Sequence, residues 1–292
     1  MKLKIAILIT CYNRLETTKE CLKHCFNSLS LIDNYDHDIF LLDDNSPDKT
    51  GEIIKKMYPS INVTYGNGKY FWSGGTRKLW ELASTKKDYD YYVWLNNDSI
   101  LFKNAFSVIY NDLKKKSSSI ILGTFVSSNQ NLHEVTYGGR DKNLSLIIPS
   151  GEPQECSFIN GNFVFVPREI FKKIGFLNKI FTHNYGDTDY GLRAIKKNFK
   201  VFIASEVVGT CNKNELELWR RPNTRFFSRL KSLYKSKNFI VNEVMYFQLA
   251  HFGLFALLKH FIGVFIIILS PKIYYKLSKL NFNNKPNQSK IF

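Results

Sequence analysis

Short apolar runs separated by amphipathic stretches fill the first two hundred residues of the chain. Ile5–Ile9 reads as a buried strand, and the polar Thr10-Cys11-Tyr12-Asn13-Arg14 behind it leads into a helix from about Leu15 to Leu29. The apolar run at the start is too short for a signal peptide, which supports the strand reading. Asp38–Leu42 is a second strand, and the acidic and turn residues Asp43 to Asp48 open a helix that runs to about Met57. Ile61–Tyr65 is a third strand, followed by Gly66-Asn67-Gly68 and a helix from about Gly75 to Ser84. Strand Tyr91–Leu95 and helix Ala105–Lys115 form a fourth unit. Such alternation predicts an α/β fold with a largely parallel sheet and right-handed crossovers.

Beyond residue 120 the pattern loosens. Ile120–Val126 and Phe163–Val166 are strands, and the segment from Thr136 to Gly151 between them reads as turns and an antiparallel excursion. Pro167 opens a short helix, His183 to Asp189 lead into another that ends near Asn198, and Lys200–Ala204 is the last strand of a domain spanning 1–212. Residues 213–280 form a helical extension of a different kind, and 281–292 are a polar tail. Within the extension, Phe252 to Leu269 is strongly apolar but interrupted by Lys259-His260. A spanning helix needs about 20 apolar residues, and a central lysine is costly in lipid. A helix lying in the membrane surface, a buried helical hairpin and a true span are all open. The downstream Lys272, Tyr274, Tyr275 and Lys276 suit the first.

Composition narrows the class. The chain has 292 residues and 44% hydrophobic content, enough for a substantial core. Five cysteines, at 11, 21, 25, 156 and 211, give neither a disulfide framework nor paired zinc-ligand spacing, so they read as buried thiols. The net charge of +16 is uneven: from Lys213 onward 14 Lys and Arg face three Glu. That excess points to an anionic partner for the extension, and a membrane surface fits. The first 200 residues lack a basic groove interleaved with aromatics, which argues against nucleic acid.

Chemistry concentrates where strands end. Tyr92-Val93-Trp94-Leu95 stops abruptly at Asn96-Asn97-Asp98-Ser99, which delivers Asp98 to the carboxyl edge of a sheet, where open α/β folds bind ligands. The first and second strands end in polar clusters too. Thr10-Cys11-Tyr12-Asn13-Arg14, Asp43-Asp44-Asn45-Ser46, Asn96-Asn97-Asp98 and Gly186-Asp187-Thr188-Asp189 stand in the order and spacing of glycosyltransferase family 2, which the chain resembles over about residues 3–212. Tyr70 to Arg77 adds a similarity to the branch of bacterial surface-polysaccharide enzymes called rhamnosyltransferase-like.

The resemblance implies a GT-A fold, a mixed and mostly parallel sheet flanked by helices, and inverting transfer of a sugar from a nucleotide-diphosphate donor. Through it, Thr10, Tyr12 and Asp44, with Asp43, are assigned to the base, and Arg14, Arg77 and Asn97 to the rest of the donor. A helix cap is the plain alternative for Asp43 to Asp48, and a surface arginine for Arg77. Asp98 is implied as ligand of a manganese or magnesium ion that bridges the diphosphate. The family often has more acid here than Asn96-Asn97 supply, and the region Val208 to Asn212 shows no matching histidine. Asp187 is implied as the general base, although the first position of the family's Glu-Asp pair is Gly186; helix-dipole complementation is the alternative, and would depress its pKa. Trp72, His183, Asp189 and Arg193 fall to the acceptor side or its loop, with Asn160-Gly161-Asn162 beside them. The expected acceptor is a glycan, or a sugar on a polyprenyl diphosphate, reached by a cytoplasmic protein peripheral to the inner face of the cell membrane. A nucleotide-sugar-binding or scaffold protein without turnover is the competing reading.

Overall fold

The computed structural model describes residues 2–128, 134–237 and 239–282. The polar tail expected at 281–292 lies almost wholly outside the described residues. Strand β1 (Leu3–Cys11) is followed by α1 (Leu15–Leu29), β2 (Tyr35–Asp43), α2 (Thr50–Met57), β3 (Asn62–Tyr65), α3 (Phe71–Lys86) and β4 (Tyr91–Leu95). A two-residue β5 (Ile100–Leu101) precedes α4 (Ala105–Lys115) and β6 (Ile120–Val126). Then come β7 (Val135–Tyr137), β8 (Gln154–Glu155), β9 (Phe163–Pro167), α5 (Arg168–Ile174), α6 (Gly186–Lys196) and β10 (Val201–Thr210).

These strands make one mixed sheet in the order β3-β2-β1-β4-β9-β6-β10-β5, with β7 on β6 and β8 on β10. β3, β2, β1 and β4 are mutually parallel. β9 is antiparallel to both β4 and β6. Its position departs from the simple parallel alternation expected from the first four units. The reversal matters for function, because Phe163 at the start of β9 pairs with Leu95 at the end of β4. The segment before β9 therefore opens onto the same sheet edge as Asp98.

The alternation along β1 shows how the sheet is buried. Ile5, Ile7 and Ile9 join a core with Cys21, Leu22 and Cys25 of α1, Ile54 of α2 and Phe106 and Ile109 of α4. Ala6 and Leu8, pointing the other way, join Leu79 and Trp80 of α3, Ile170 of α5 and Tyr190 and Ala194 of α6. With helices on both faces, central strands are apolar on both sides, which is why they read as continuous hydrophobic runs. All five cysteines are free and buried.

Helix α3 starts four residues earlier than the glycine pair suggests. Gly74 and Gly75 lie within its first turns, and a Cβ on Gly75 would sit 2.7 Å from Thr10 Cγ2. Gly75 serves close packing of helix on strand, whereas a Cβ on Gly74 would meet only Arg77 and Tyr70 at ordinary contact distance. What starts the helix is distant in sequence: the Asp44 carboxylate accepts the backbone N–H groups of Tyr70 and Phe71 at 2.9 and 3.0 Å.

A second compact unit comprises residues 143–145 and the chain from Asn214 onward. It contains a 3₁₀ turn at Leu218–Arg220 and helices α7 (Phe226–Lys235), α8 (Val241–His251), α9 (Leu254–Leu269) and α10 (Pro271–Phe282). Trp219, Ile267 and Ile268 centre its small core. The buried Arg229 donates to the carbonyls of Ile268 and Leu269 at 2.9 and 3.3 Å, satisfying the last turn of α9. All of the apolar 252–269 run beyond Phe252 and Gly253 forms the single helix α9, and Gly253, at φ 83°, turns the chain between α8 and α9. Among the described residues no helix is long and apolar enough to cross a membrane.

Candidate active site

The ends of β1 and β2 are tied together before any ligand is considered. Asp44 N–H donates to the Cys11 carbonyl at 3.0 Å, and Asn13 N–H to Ser46 Oγ at 2.9 Å. Asp48 accepts Leu15 N–H at 3.0 Å and so caps α1 from 33 residues away. Those bonds, with others from Thr50, hold its carboxyl below the usual range even though burial opposes this. Asp43 is buried and accepts from Ser46 N–H at 2.9 Å and Gly51 N–H at 2.6 Å, which makes it the anchor of this loop and of the start of α2. Asp44 is also buried, and besides Tyr70 and Phe71 it accepts Gly68 N–H at 2.8 Å. Both carboxylates assigned to the base are therefore invested in backbone. Asp43 makes the capping bonds that were its plain alternative. Tyr12, by contrast, is half exposed on the loop beside them, and Thr10 is partly buried against α3.

Asp98 emerges from β4 facing Arg14 from the end of β1. Arg14 Nη1 donates to Asp98 Oδ2 at 2.8 Å, with the two side chains 48% and 30% exposed. On its other oxygen, Asp98 Oδ1 lies 3.9 Å from Cys211 Sγ, which arrives from the end of β10. Burial pushes this thiol up to about 12, and the Asp98 charge adds to the effect. Cys211 occupies the region where the sequence shows no histidine ligand. The two asparagines before Asp98 do not join it. Asn97 is buried and donates to Thr18 Oγ1 on α1 at 3.0 Å. Asn96 accepts the Trp72 indole N–H and donates to Asn162 Oδ1 at 2.8 Å.

That pair of bonds carries the site across the sheet edge to the general-base candidate. Trp72 lies in the first turn of α3, not on a preceding loop, with its ring edge-on to Trp94 at 6.0 Å. Gly161 sits between Trp72 and Asp187: a Cβ there would collide with the Trp72 ring and come within 3.3 Å of Asp187 Oδ2. Gly161 N–H donates to Asp187 Oδ2 at 2.7 Å, while Thr188 N–H donates to Oδ1 at 2.7 Å. Asp187 is thus the first-turn acid of α6, held from both sides. The helix N-terminus predicts a depressed pKa, yet burial outweighs the two backbone bonds and moves the carboxyl up. Gly186 has its own explanation, because a Cβ at this position would strike Ser73 Oγ, whose hydroxyl donates to the His183 carbonyl at 3.0 Å.

The remaining candidates fall outside this arrangement. Arg77 Nη1 donates to the carbonyls of Asn178 and Phe181 at 3.2 and 3.4 Å and so holds the α5–α6 loop. Asp189 is buried and pairs with Arg193 at 2.8 Å, and Arg193 also holds the carbonyls of Ile174 and Phe176. His183 lies in the loop before α6, its ring edge-on to Phe71 at 6.1 Å. Sequence reasoning missed the Asn96–Asn162 pair and the Gly161 amide as the support of Asp187. Only the polar Asn160-Gly161-Asn162 triplet ahead of a strand hinted at either.

Among the described residues no three His, Cys, Asp or Glu side chains cluster to hold a metal ion. The donor set still fits a hard divalent cation as a one-carboxylate site. Asp98 is partly exposed, its Oδ1 faces a thiol and not a cation, and such ions are commonly held by one or two carboxylates with phosphate and water completing the shell.

A mixed α/β sheet flanked by helices, with an aromatic loop, a carboxylate beside a guanidinium and a partly buried helix-N-terminal aspartate at one edge, has the architecture of a GT-A type fold. The chain belongs to glycosyl transferase family 2, whose sequence model matches residues 6–175. Among solved structures, S. aureus TarS 1-349 is similar with a TM-score of 0.51 at 14% identity, over 72% of this chain and 60% of that one. The same fragment in complex with UDP-GlcNAc gives 0.54 at 12%, over 79% and 64%. Its complex with UDP gives 0.51 at 12%, over 72% and 60%. At these identities the likeness shows the fold, and this chain spans less than two thirds of the length of those fragments. No curated protein sequence matches it significantly.

Proposed function

We propose that the protein is an inverting glycosyltransferase that moves a sugar from a nucleotide-diphosphate donor, dTDP-rhamnose or a UDP-sugar, to a glycan or lipid-linked acceptor in surface-polysaccharide synthesis. Family membership and the fold shared with TarS, which was solved in complex with UDP-GlcNAc, support the donor class. The similarity of Tyr70 to Arg77 to the rhamnosyltransferase-like branch supports the first sugar. Tyr12, half exposed beside Thr10, offers a face for the base.

The observation that carries the reading is Asp187. Two backbone N–H groups aim both of its oxygens and burial raises its pKa, which improves a base that must take a proton from an acceptor hydroxyl during in-line attack. Trp72, fixed by Asn96 and Trp94, lines the approach to it. On the donor side, Arg14 is paired with Asp98 and suits the diphosphate, whose growing charge must be stabilised as the glycosidic bond breaks. A divalent cation held by Asp98 would neutralise that charge further. Attack, proton removal by Asp187 and departure of the diphosphate then occur in one displacement with inversion at the anomeric carbon. The basic, apolar extension supports an acceptor carried in a membrane, with the protein on its inner face.

A binding protein without turnover is the second reading, favoured by the Arg14 guanidinium that sits on Asp98. Donor turnover separates the two: wild-type protein should release nucleoside diphosphate from a nucleotide sugar, and binding without any release, with acceptor present, overturns the enzyme reading.

A further inference from the structure

We propose that α8 and α9 form an in-plane docking surface for an anionic phospholipid membrane, with the basic α7 as its electrostatic partner. The inference rests on the membrane-linked acceptor proposed above and assigns that contact to particular side chains.

Among the described residues the apolar stripe of α9 is left exposed. Leu254, Phe255, Leu258, Ile262, Phe265 and Leu269 are all more than half exposed, Phe255 by 89%. At 3.6 residues per turn they fall within an arc of about 100°. The rest of the circumference carries Leu257, Ile267 and Ile268, which are buried within their own unit, Ile267 lying opposite the stripe and Leu257 and Ile268 about 60° and 40° beyond Leu254. Lys259 is exposed and falls about 40° past Phe255, at the margin of the stripe, where its ammonium can reach the headgroup layer. Its cost in a spanning helix therefore does not arise. In α8, Val241, Met245 and Leu249 repeat every four residues and are exposed, whereas Val244 and Phe247 are buried. The two stripes meet through Phe252 and Leu254, both exposed, on either side of the Gly253 turn.

Charge selects the occupant. Seven of the 18 residues from Arg220 to Lys237 are Lys or Arg and none is acidic. Within that segment α7 exposes Phe227 by 82% and Tyr234 by 92%, with Arg225, Lys231 and Lys235 also exposed. A basic helix with large aromatics is built to rest on a negatively charged interface. A second copy of the chain would bring the same charge to the contact and be repelled. Length sets the mode: the 16 residues of α9 rise about 24 Å, less than the roughly 30 Å hydrocarbon core, so the helix lies along the surface.

The test is flotation of the full chain with phosphatidylglycerol-containing vesicles and with neutral phosphatidylcholine vesicles. Wild type should float with the anionic vesicles and lose most binding in roughly 0.5 M salt, where screening cuts the reach of surface charge to a few ångströms. Phe255→Ser combined with Ile262→Ser should weaken partition by about tenfold or more. Lys231→Gln with Lys235→Gln should weaken it on anionic vesicles only. As a second measurement, a tryptophan introduced by Phe255→Trp should show blue-shifted emission with anionic vesicles. All these positions are exposed, and each variant should release nucleotide from soluble donor at the wild-type rate. Equal flotation of wild type and the double serine variant, equal binding to neutral vesicles, or a dimer that buries the tryptophan probe without lipid would each overturn the inference. Vesicle binding without sugar transfer leaves it standing and counts against the enzyme reading alone.

Discussion

Arg14 Nη1 lies 2.8 Å from Asp98 Oδ2, so the one carboxylate at the end of β4 is already paired before a donor arrives. Cation and guanidinium compete for it. An exposed pair of this kind is worth about 0–1 kcal/mol, so Arg14→Ala should tighten binding of manganese alone by up to about fivefold. The same change should weaken the nucleotide sugar, because the diphosphate loses a cation. Titration of free Mn by electron paramagnetic resonance, with calorimetry for the donor, reads the two effects separately; weaker binding of both would refute the competition.

Asp98→Ala should abolish the manganese-dependent part of donor binding and leave the fold intact, since its carboxylate bonds to side chains and not to the backbone. Thermal shift with and without manganese, over a panel of nucleotides and nucleotide sugars, measures it. The same panel in wild type identifies the base.

Asp187→Asn should lower turnover by about 10²–10⁴-fold while donor binding is retained. The pH dependence follows from burial. With a native pKa above the ordinary 3.8, Asp187 stays protonated to higher pH than an exposed carboxyl, and activity should rise through an acidic limb displaced upward. For stability the sign is opposite: the native state holds this proton more tightly than the unfolded chain, so the contribution is present at low pH and lost as pH rises through the native pKa. A pH profile of kcat/KM with its limb at the ordinary carboxylate position would argue against this base.

Gly161→Ala places a methyl group against the Trp72 ring and close to Asp187. Overpacking of this kind costs about 1–3 kcal/mol, and it shifts the carboxylate. The melting temperature should fall and turnover should fall further than stability alone explains. Gly186→Ala should destabilise by a similar amount through Ser73, and Ser73→Gly should relieve it. A double-mutant cycle by denaturant unfolding tests the pair.

Asp44→Asn removes a carboxylate that accepts three backbone N–H groups, at Gly68, Tyr70 and Phe71. Leaving one of them opposed by an amide N–H should cost about 1–3 kcal/mol. The loss should appear in the nucleotide-free protein. If Asp44 instead serves mainly the base, the melting temperature stays put and only nucleotide preference changes.

The sequence by itself determined the long strands and most of the helices in the first 212 residues, because buried apolar runs and 3.6-residue periodicity are local properties, but not the short β5 and β8 or the start of α3. Tyr91–Leu95, Leu15–Leu29 and Ala105–Lys115 needed no knowledge of neighbours. It also placed the four polar clusters at strand ends and helix starts, since a run that stops being apolar marks where the chain leaves the core. Tertiary structure decided what each cluster bonds to. Asp43 and Asp44 look alike in sequence to ligand-binding acids, but their partners, Gly51 and the amides of 68–71, come from loops brought near only by the β2–β3 pairing. The reversed β9 lies between two strands whose apolar runs carry no direction, so only long-range hydrogen bonding could set it beside β4 and bring Gly161 under Asp187. The extension shows the same division. Its charge and hydrophobicity were legible residue by residue, whereas the face left bare depended on which side of α9 packed within its own unit.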